Sequence, residues 1–349
     1  MYKKAFCVLI LFLWVISAKG SDFASELMKY KGPFGLYPYN DPNAVLGKPT
    51  TWLYDDWEEK IYACSLVCGS YGVDPNRPAP NNELITTINN DANIVVKFDH
   101  KVADDPCNLY GIDFIVFGNS FFEGQGYLTP DTNMEEYLIT SPVSIWQEPV
   151  KVSVAQDSGG PWYLFTNGPY GDTVYPTNAF EWDRNTHNWG KELNWLKPVN
   201  PALNSSNFAG LSVADAIELY EGSTGGTGFD LKDLEPDDYD ALTVDPCSSQ
   251  KWIQYIKVEY KSSYTGEIDG FSDVACCGDY AHPFAAGDID KNCRVNMPDF
   301  VLLAKYWRMN VSGPNDPAKC ADVYGDNVID FRDVDVLKND WLECVWECQ

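Results

Sequence analysis

Five oxygen-bearing side chains in the stretch Gly287 to Phe300 stand at intervals that could hold a hard cation. Asp288, Asp290, Asn292, Asn296 and Asp299 occupy positions 1, 3, 5, 9 and 12 of a twelve-residue window. Carboxylate and amide oxygens at that spacing are the ligand pattern of a calcium loop. Position 6, where such loops favour glycine, is Cys293. A second window begins 34 residues later, with Asp322, Asp326, Asp330 and Asp333 at positions 1, 5, 9 and 12. Its position 3 is Tyr324, and its position 6 is Asn327, which tolerates positive φ better than most residues. Position 8 is apolar in both (Val295 and Ile329), as expected where paired loops touch through a short β-contact.

Each window runs into a segment with helical periodicity. Phe300, Leu303, Ala304 and Trp307 share one helical face, as do Val334, Leu337 and Trp341. Pro298 suits a first helical turn, where its missing N–H costs nothing. Two windows in register, each feeding a helix of similar design, form an internal repeat rather than two isolated acidic loops.

The segment 287–349 resembles a type I dockerin, a calcium-dependent, non-catalytic pair of loop–helix repeats with an EF-hand-like metal loop. That resemblance implies Ca2+ ligands at Asp288, Asp290, Asn292, Asn296 (through water) and Asp299, with the Arg294 carbonyl. In the second loop it implies Asp322, Asp326, Asp330 (through water) and Asp333, with the Val328 carbonyl. It also implies docking onto a cohesin-like partner through Met297, Pro298, Phe331 and Arg332. These pairs differ from each other and from the Ser/Thr pairs common in such modules, which argues against two equivalent docking faces. An alternative is that the helices pack on the chain's own N-terminal domain.

The rest of the chain supplies the setting. Lys3 and Lys4, an apolar run from Ala5 to Ile16 and small residues at Ala18 and Gly20 read as a signal peptide over 1–20. The mature protein is then secreted, extracellular or on the cell surface. The whole chain carries 25 basic and 51 acidic residues. Without residues 1–20 its net charge is −29 and its cysteines number ten. This balance disfavours nucleic acid and anionic membranes and favours divalent cations. An even cysteine count in an exported chain favours disulfides. Cys64/Cys68 and Cys344/Cys348, each four apart without neighbouring histidine, read as disulfide cysteines rather than zinc ligands. Cys293 is expected to tie its loop to a neighbour.

Residues 21–275 read as mainly β: a β-sandwich, jelly-roll-like, followed by a linker at 276–286. Ile94, Val96, Phe98 and His100 alternate, and Val150, Val152 and Val154 turn through Asp157–Gly160 and return at Trp162–Phe165. Ile253, Tyr255 and Lys257 alternate against Trp252, Gln254, Ile256 and Val258. One amphipathic helix is expected after a Ser212 cap, ending at Gly222, and the glycine-rich run 222–228 reads as a flexible surface loop. The region is similar to a class of bacterial cell-surface proteins without assigned activity, through "YNDPNAVLGKPT", "YGIDFIVFGNSFF", "GGTGFDLKDL" and "EIDGFSDV".

Chemistry in this region is sparse. There is no HExxH, GxSxG, Walker or dinucleotide-binding pattern. The acidic run 230–240, and Asp269 with Asp273, fit either a cation site or solvated turns. Trp182, Trp189 and Trp195, set among polar residues, are candidates for stacking on a polysaccharide. The leading reading is a secreted, non-catalytic binding protein with a calcium-dependent docking module. The alternative is a carbohydrate-active enzyme, a glycoside hydrolase acting on O-glycosyl bonds, or a sugar-binding accessory in a cellulosome-like assembly. Such an enzyme needs only two facing carboxylates.

Overall fold

The computed structural model describes residues 22–77, 84–246, 248–261, 265–275, 284–291, 293–313 and 316–344. The expected signal segment, most of the linker, Asn292, His282 and Cys348 lie outside them. Among the described residues no helix is long and apolar enough to cross a membrane.

Alternating apolar residues build two antiparallel sheets, with strands numbered in chain order. One runs β1 (Glu26–Lys31), β5 (Asn93–Ala103), β14 (Trp252–Tyr260), β9 (Val150–Ala155), β10 (Tyr163–Leu164). The other runs β13 (Thr227–Phe229), β6 (Phe114–Gly118), β15 (Gly266–Asp273), β4 (Thr86–Ile88). Period-2 alternation puts Ile94, Val96 and Phe98 of β5 and Val150, Val152 and Val154 of β9 on one face. These pack against Phe114, Val116, Ile268 and Phe271 of the facing sheet, so the fold is a β-sandwich. Each such side chain contributes about 1.5–3 kcal/mol by leaving water. The expected hairpin is β9–β10, with Tyr163 opposite Val154.

In β14 the buried residues are Ile253, Ile256 and Val258, which strict alternation does not allow. The register of β14 against β5 shifts between Ile253 and Tyr255, and this bulge returns Ile253 to the core face.

Strand β6 is buried along its whole length. Ile115 and Phe117 point away from the sandwich core into a second apolar cluster with Leu53, Leu84, Phe180 and Trp195. The hairpins β2–β3 (Trp52–Asp55, Lys60–Ala63) and β11–β12 (Phe180–Asp183, Asn188–Glu192) contribute to that cover. A third small pairing joins β7 (Phe121–Phe122) to β8 (Ile145–Trp146).

Helix α1 (Val213–Glu218) has the expected Ser212 cap, whose side chain accepts from Asp215 N–H at 3.1 Å, but it stops short of Gly222. The glycine run is not a surface loop. Ser223 through Thr227 are buried, and the run feeds β13. A Cβ on Gly225 would lie 2.2 Å from the Pro176 carbonyl oxygen, and one on Gly226 2.5 Å from Ile115. Both have φ above +80°, so glycine serves close approach here rather than flexibility. A short helix α2 (Pro236–Ala241) follows.

Strand pattern ends at β15. Beyond it stand α3 (Met297–Lys305) and α4 (Phe331–Asn339), over a separate apolar cluster of Ile289, Val295, Leu303, Tyr306, Ile329 and Leu337.

Candidate metal centre

In the first loop, Asp288 and Asp299 are fully buried. Asp299 Oδ1 accepts Ile289 N–H at 2.6 Å and Asp290 N–H at 3.0 Å, and Oδ2 accepts Asn296 N–H at 2.8 Å. One carboxylate at position 12 therefore fastens both ends of the loop and caps α3. Asp288 Oδ2 accepts Cys293 N–H at 2.9 Å. Oxygens of Asp288, Asp290 and Asp299 lie within 4.8 Å of one another. Asn296 Oδ1, at position 9, is buried and has no hydrogen-bond partner. Three converging carboxylates beside an orphaned amide oxygen are the donor set of a hard divalent cation. The residues present therefore fit calcium.

The two loops share a backbone. Positions 4 and 6 are left-handed in both, at φ 63° and 68° for Lys291 and Cys293 and 83° and 67° for Gly325 and Asn327. The left-handed region costs a residue with a Cβ about 1–2 kcal/mol. Cys293 N–H to Asp288 offsets that cost in one loop, and Asn327 N–H to Asp322 Oδ2, at 3.1 Å, offsets it in the other.

Position 8 is buried in both loops, but the short β-contacts are not between the loops as expected. Val295 N–H donates to Glu343 and Leu342 N–H to Val295. Arg308 N–H donates to Ile329, and Ile329 N–H to Met309. Each loop thus pairs with the segment after the other repeat's helix, and the two contacts repeat at the same 34-residue offset.

The helical faces are also rotated from expectation. Leu303 and Tyr306 are buried with Asp299, whereas Phe300 and Ala304 are exposed. In α4 Leu337 is buried and Val334 half-buried, while Trp341 is exposed. The buried position-12 carboxylate turns the first helix so that the residue after it faces outward. Met297, Pro298, Phe331 and Arg332 are all exposed. Phe331 sets its ring edge-on to Trp307 at 5.1 Å, and Arg332 is engaged by the second loop's own carboxylates.

The three tryptophans do not form one surface. Trp195 is buried, edge-on to Phe117 at 5.4 Å. Trp182 and Trp189 pair across β11–β12 at 5.2 Å and are half-buried, with Trp182 Nε1–H donating to Glu135 at 3.1 Å.

Cys64 and Cys68 are free thiols, a correction to the expected disulfide use. Ser65 and Cys68 close a tight turn through reciprocal 3.0 Å backbone bonds. Cys64 Sγ turns to Ser70 Oγ at 3.2 Å, while Cys68 bonds Tyr71. Burial pushes both thiols up, Cys68 to about 12, so neither is a ready nucleophile.

Asp269 and Asp273 do not share a cation. Asp269 is buried against Arg77, and Asp273 accepts from His100 at 2.9 Å. His100 is raised to about 9: burial alone would lower it, but hydrogen bonds and charge from Asp273 and Asp99 outweigh that. From the acidic run, Asp230 meets Asp104 and Asp113, a cluster that no sequence spacing announces. Protein donors already engage it: Lys232 and Tyr239 on Asp104, and Asn108 (2.8 Å) and Leu231 N–H (2.8 Å) on Asp113.

A second unannounced group joins Glu148, Glu267 and Asp172. Glu267 accepts from Asn119 at 2.6 Å and shares a hydrogen bond with Glu148. Burial first, then the Glu148 charge, pushes Glu267 up to about 7. Between its unfolded value of 4.5 and 7 the native state holds the extra proton. Stability therefore falls as pH rises through that window, by up to about 3 kcal/mol. Glu267→Gln should flatten the change, and urea midpoints at pH 5 and pH 8 for both proteins check it.

A comparison with curated proteins finds no match. The model of the type I dockerin domain family matches residues 286–342, which is 57 of the 349 residues and contains both loops and both helices. The C-terminal segment of this chain is therefore similar to a type I dockerin domain, and it follows a β-rich N-terminal region.

Proposed function

We propose that this is an exported, non-catalytic binding protein that docks to a cohesin-like partner through a calcium-closed C-terminal module. The observation that carries the reading is the first loop: Asp288, Asp290 and Asp299 converge beside the unpartnered Asn296 Oδ1, inside the segment that matches a dockerin. The charge of Lys291 acts on all three carboxylates, and calcium would supply the further positive charge that lets them sit together. The chain's own residues do the rest. Asp299 holds the loop ends, Val295 and Ile329 fix the two repeats against each other, and Met297 with Phe331 offers apolar contact area. Met297 is 58% and Phe331 73% exposed. Cys293, Cys107, Cys320 and Cys344 stand as cystine halves, apart from the two free thiols, which supports an oxidising destination.

The test is capture of the full-length protein by an immobilised cohesin domain, in calcium and in EGTA. Capture that EGTA abolishes supports the reading. Equal capture in both buffers removes calcium from it, and no capture by any cohesin removes the docking partner.

A second reading, a sugar-binding accessory, draws on Trp182 and Trp189. Around this half-exposed pair stand Glu135 and His187, bonded at 2.8 Å, and Arg184. Those groups could bond hydroxyls while a ring face stacks. A glycan array on the protein and its Trp189→Ala variant distinguishes this reading from simple packing.

A further inference from the structure

The two loops agree in backbone and differ in charge. Position 3 is Asp290 in the first and Tyr324 in the second, so the second lacks a carboxylate where the first supplies one. Three of the second loop's four acids already have cationic partners from the same chain. Arg332 Nη2–H donates to Asp330 Oδ2 at 2.7 Å and Nε–H to Asp330 Oδ1 at 3.1 Å, and its Nη1 pairs with Asp326. One guanidinium therefore spans positions 5 and 9. Its carbon stands 5.4 Å from the centroid of the Tyr324 ring, the residue that replaces the missing ligand. Lys319 Nζ donates to Asp322 Oδ2, position 1, at 2.7 Å. Asp333, position 12, accepts Tyr324 N–H at 3.0 Å and Asp330 N–H at 2.8 Å, just as Asp299 fastens the first loop. In the first loop three carboxylates converge within 4.8 Å; among the described residues the second loop forms no such group.

We propose that the second loop is closed by Arg332 and Lys319 in place of a divalent cation, so that the module takes one calcium ion, in the first loop. This rests on the calcium reading of that first loop. Extracellular calcium modules bind at only about 10⁻⁴–10⁻³ M. Losing one carboxylate weakens a site of that class further. A guanidinium tethered two residues from Asp330 competes at an effective concentration on the order of millimolar or more, without being diluted away. Its forked, charge-assisted bonds also suit two carboxylates better than an ammonium would. Arg332 is in addition one of the residues that the dockerin resemblance assigns to the partner. With it folded back on the loop, the second repeat presents Phe331 alone, and the first repeat carries the calcium-dependent half of the surface.

The experiment counts calcium per full-length chain by native mass spectrometry and equilibrium dialysis, and it compares variants so that ions elsewhere cancel. Asp288→Asn/Asp290→Asn should lose one ion. Asp326→Asn/Asp330→Asn, which spares the carboxylates at positions 1 and 12 and keeps an acceptor oxygen for Val328 and Arg332 N–H, should lose none. Lys319→Ala/Tyr324→Asp/Arg332→Ala, which removes both cations and restores position 3, should gain one, bound at least ten-fold more tightly than any calcium at the unaltered loop. Loss of an ion from the Asp326→Asn/Asp330→Asn variant overturns the proposal, as does a folded triple variant that gains none. If the triple variant does not fold, the second variant still decides. No loss from the first-loop variant instead overturns the calcium reading itself.

Discussion

Asp299→Ala is expected to unfold the C-terminal module and leave the sandwich standing. Asp299 is fully buried and accepts three backbone N–H groups, from Ile289, Asp290 and Asn296. Alanine leaves all three without this acceptor, the Ile289 N–H among them in a buried position. Hydrogen bonds to a charged acceptor are worth about 1.5–3 kcal/mol each, and they are not additive here because one group makes all three. A loss of about 3–5 kcal/mol is expected. A segment of this size rarely holds a larger reserve. The helical signal of α3 and α4 should fall, and a melt should show one transition, that of the sandwich, where the parent shows two. Calcium cannot rescue it, because position 12 is also a ligand by the dockerin resemblance. Cohesin capture should vanish. Asp299→Asn separates the two roles: its amide keeps one acceptor oxygen for Ile289 and Asp290, so part of the helical signal returns while calcium binding stays weak. A parent-like melt for Asp299→Ala sinks this account of the loop.

What the sequence made legible follows from distance along the chain. The first loop is a local object. Its candidate ligands lie within twelve residues, and its copy lies 34 residues on, so type and spacing were enough to mark the segment that matches a dockerin domain. The sandwich was legible for the same reason, since each strand writes its own alternation. Errors begin where a second segment decides. Ile253 faces the core only because a bulge against β5 resets the parity of β14. Gly225 and Gly226 look like a flexible run until Pro176 and Ile115 come up against them. Cys64 and Cys68 have disulfide-like spacing, yet their thiols turn to Ser70 and Tyr71. Strand β15 is the sharpest case. Asp269 and Asp273 read as either a cation site or solvated turns, and Glu267 of the same strand drew no reading at all. In the fold each meets a different partner, Arg77, His100 and Glu148, all more than a hundred residues away. No spacing rule within one sequence encodes such pairs.

Arg77 and Asp269 make the most demanding of those pairs, and breaking it should cost the sandwich about 3–5 kcal/mol. Asp269 is fully buried, and the Arg77 side chain is 9% exposed. Arg77 Nη2 meets Asp269 Oδ1 at 3.0 Å, while its other donors reach the carbonyls of Ala44 at 2.9 Å and Lys48 at 3.1 Å. Asp269 also accepts from Thr50 N–H at 2.8 Å, Thr50 Oγ1 at 2.9 Å and Ser70 Oγ at 3.1 Å. One fork thus fastens the 44–50 segment to the middle of β15. Arg77→Met keeps most of the apolar stem and removes only the charge and the fork. It leaves a carboxylate in the core without its cation and two carbonyls without a donor. Arg77→Lys should recover little, because one ammonium on a shorter reach cannot serve both Asp269 and the carbonyls. The pH dependence gives an independent check. Burial already raises Asp269, and Arg77 is the largest influence pulling it back. Without Arg77 the carboxyl rises further, so the native state binds the proton more tightly than the unfolded chain does. Stability of Arg77→Met should then fall as pH rises above the unfolded aspartate value, and its deficit against the parent should shrink toward acid. Urea unfolding followed by tryptophan fluorescence at pH 5 and pH 8 measures both numbers. A deficit below about 1 kcal/mol, the range of a surface pair, would place this bridge with the exposed ones instead. Arg77→Met/Asp269→Leu should recover part of the loss, because it removes the stranded charge even though the Thr50 and Ser70 donors lose their acceptor.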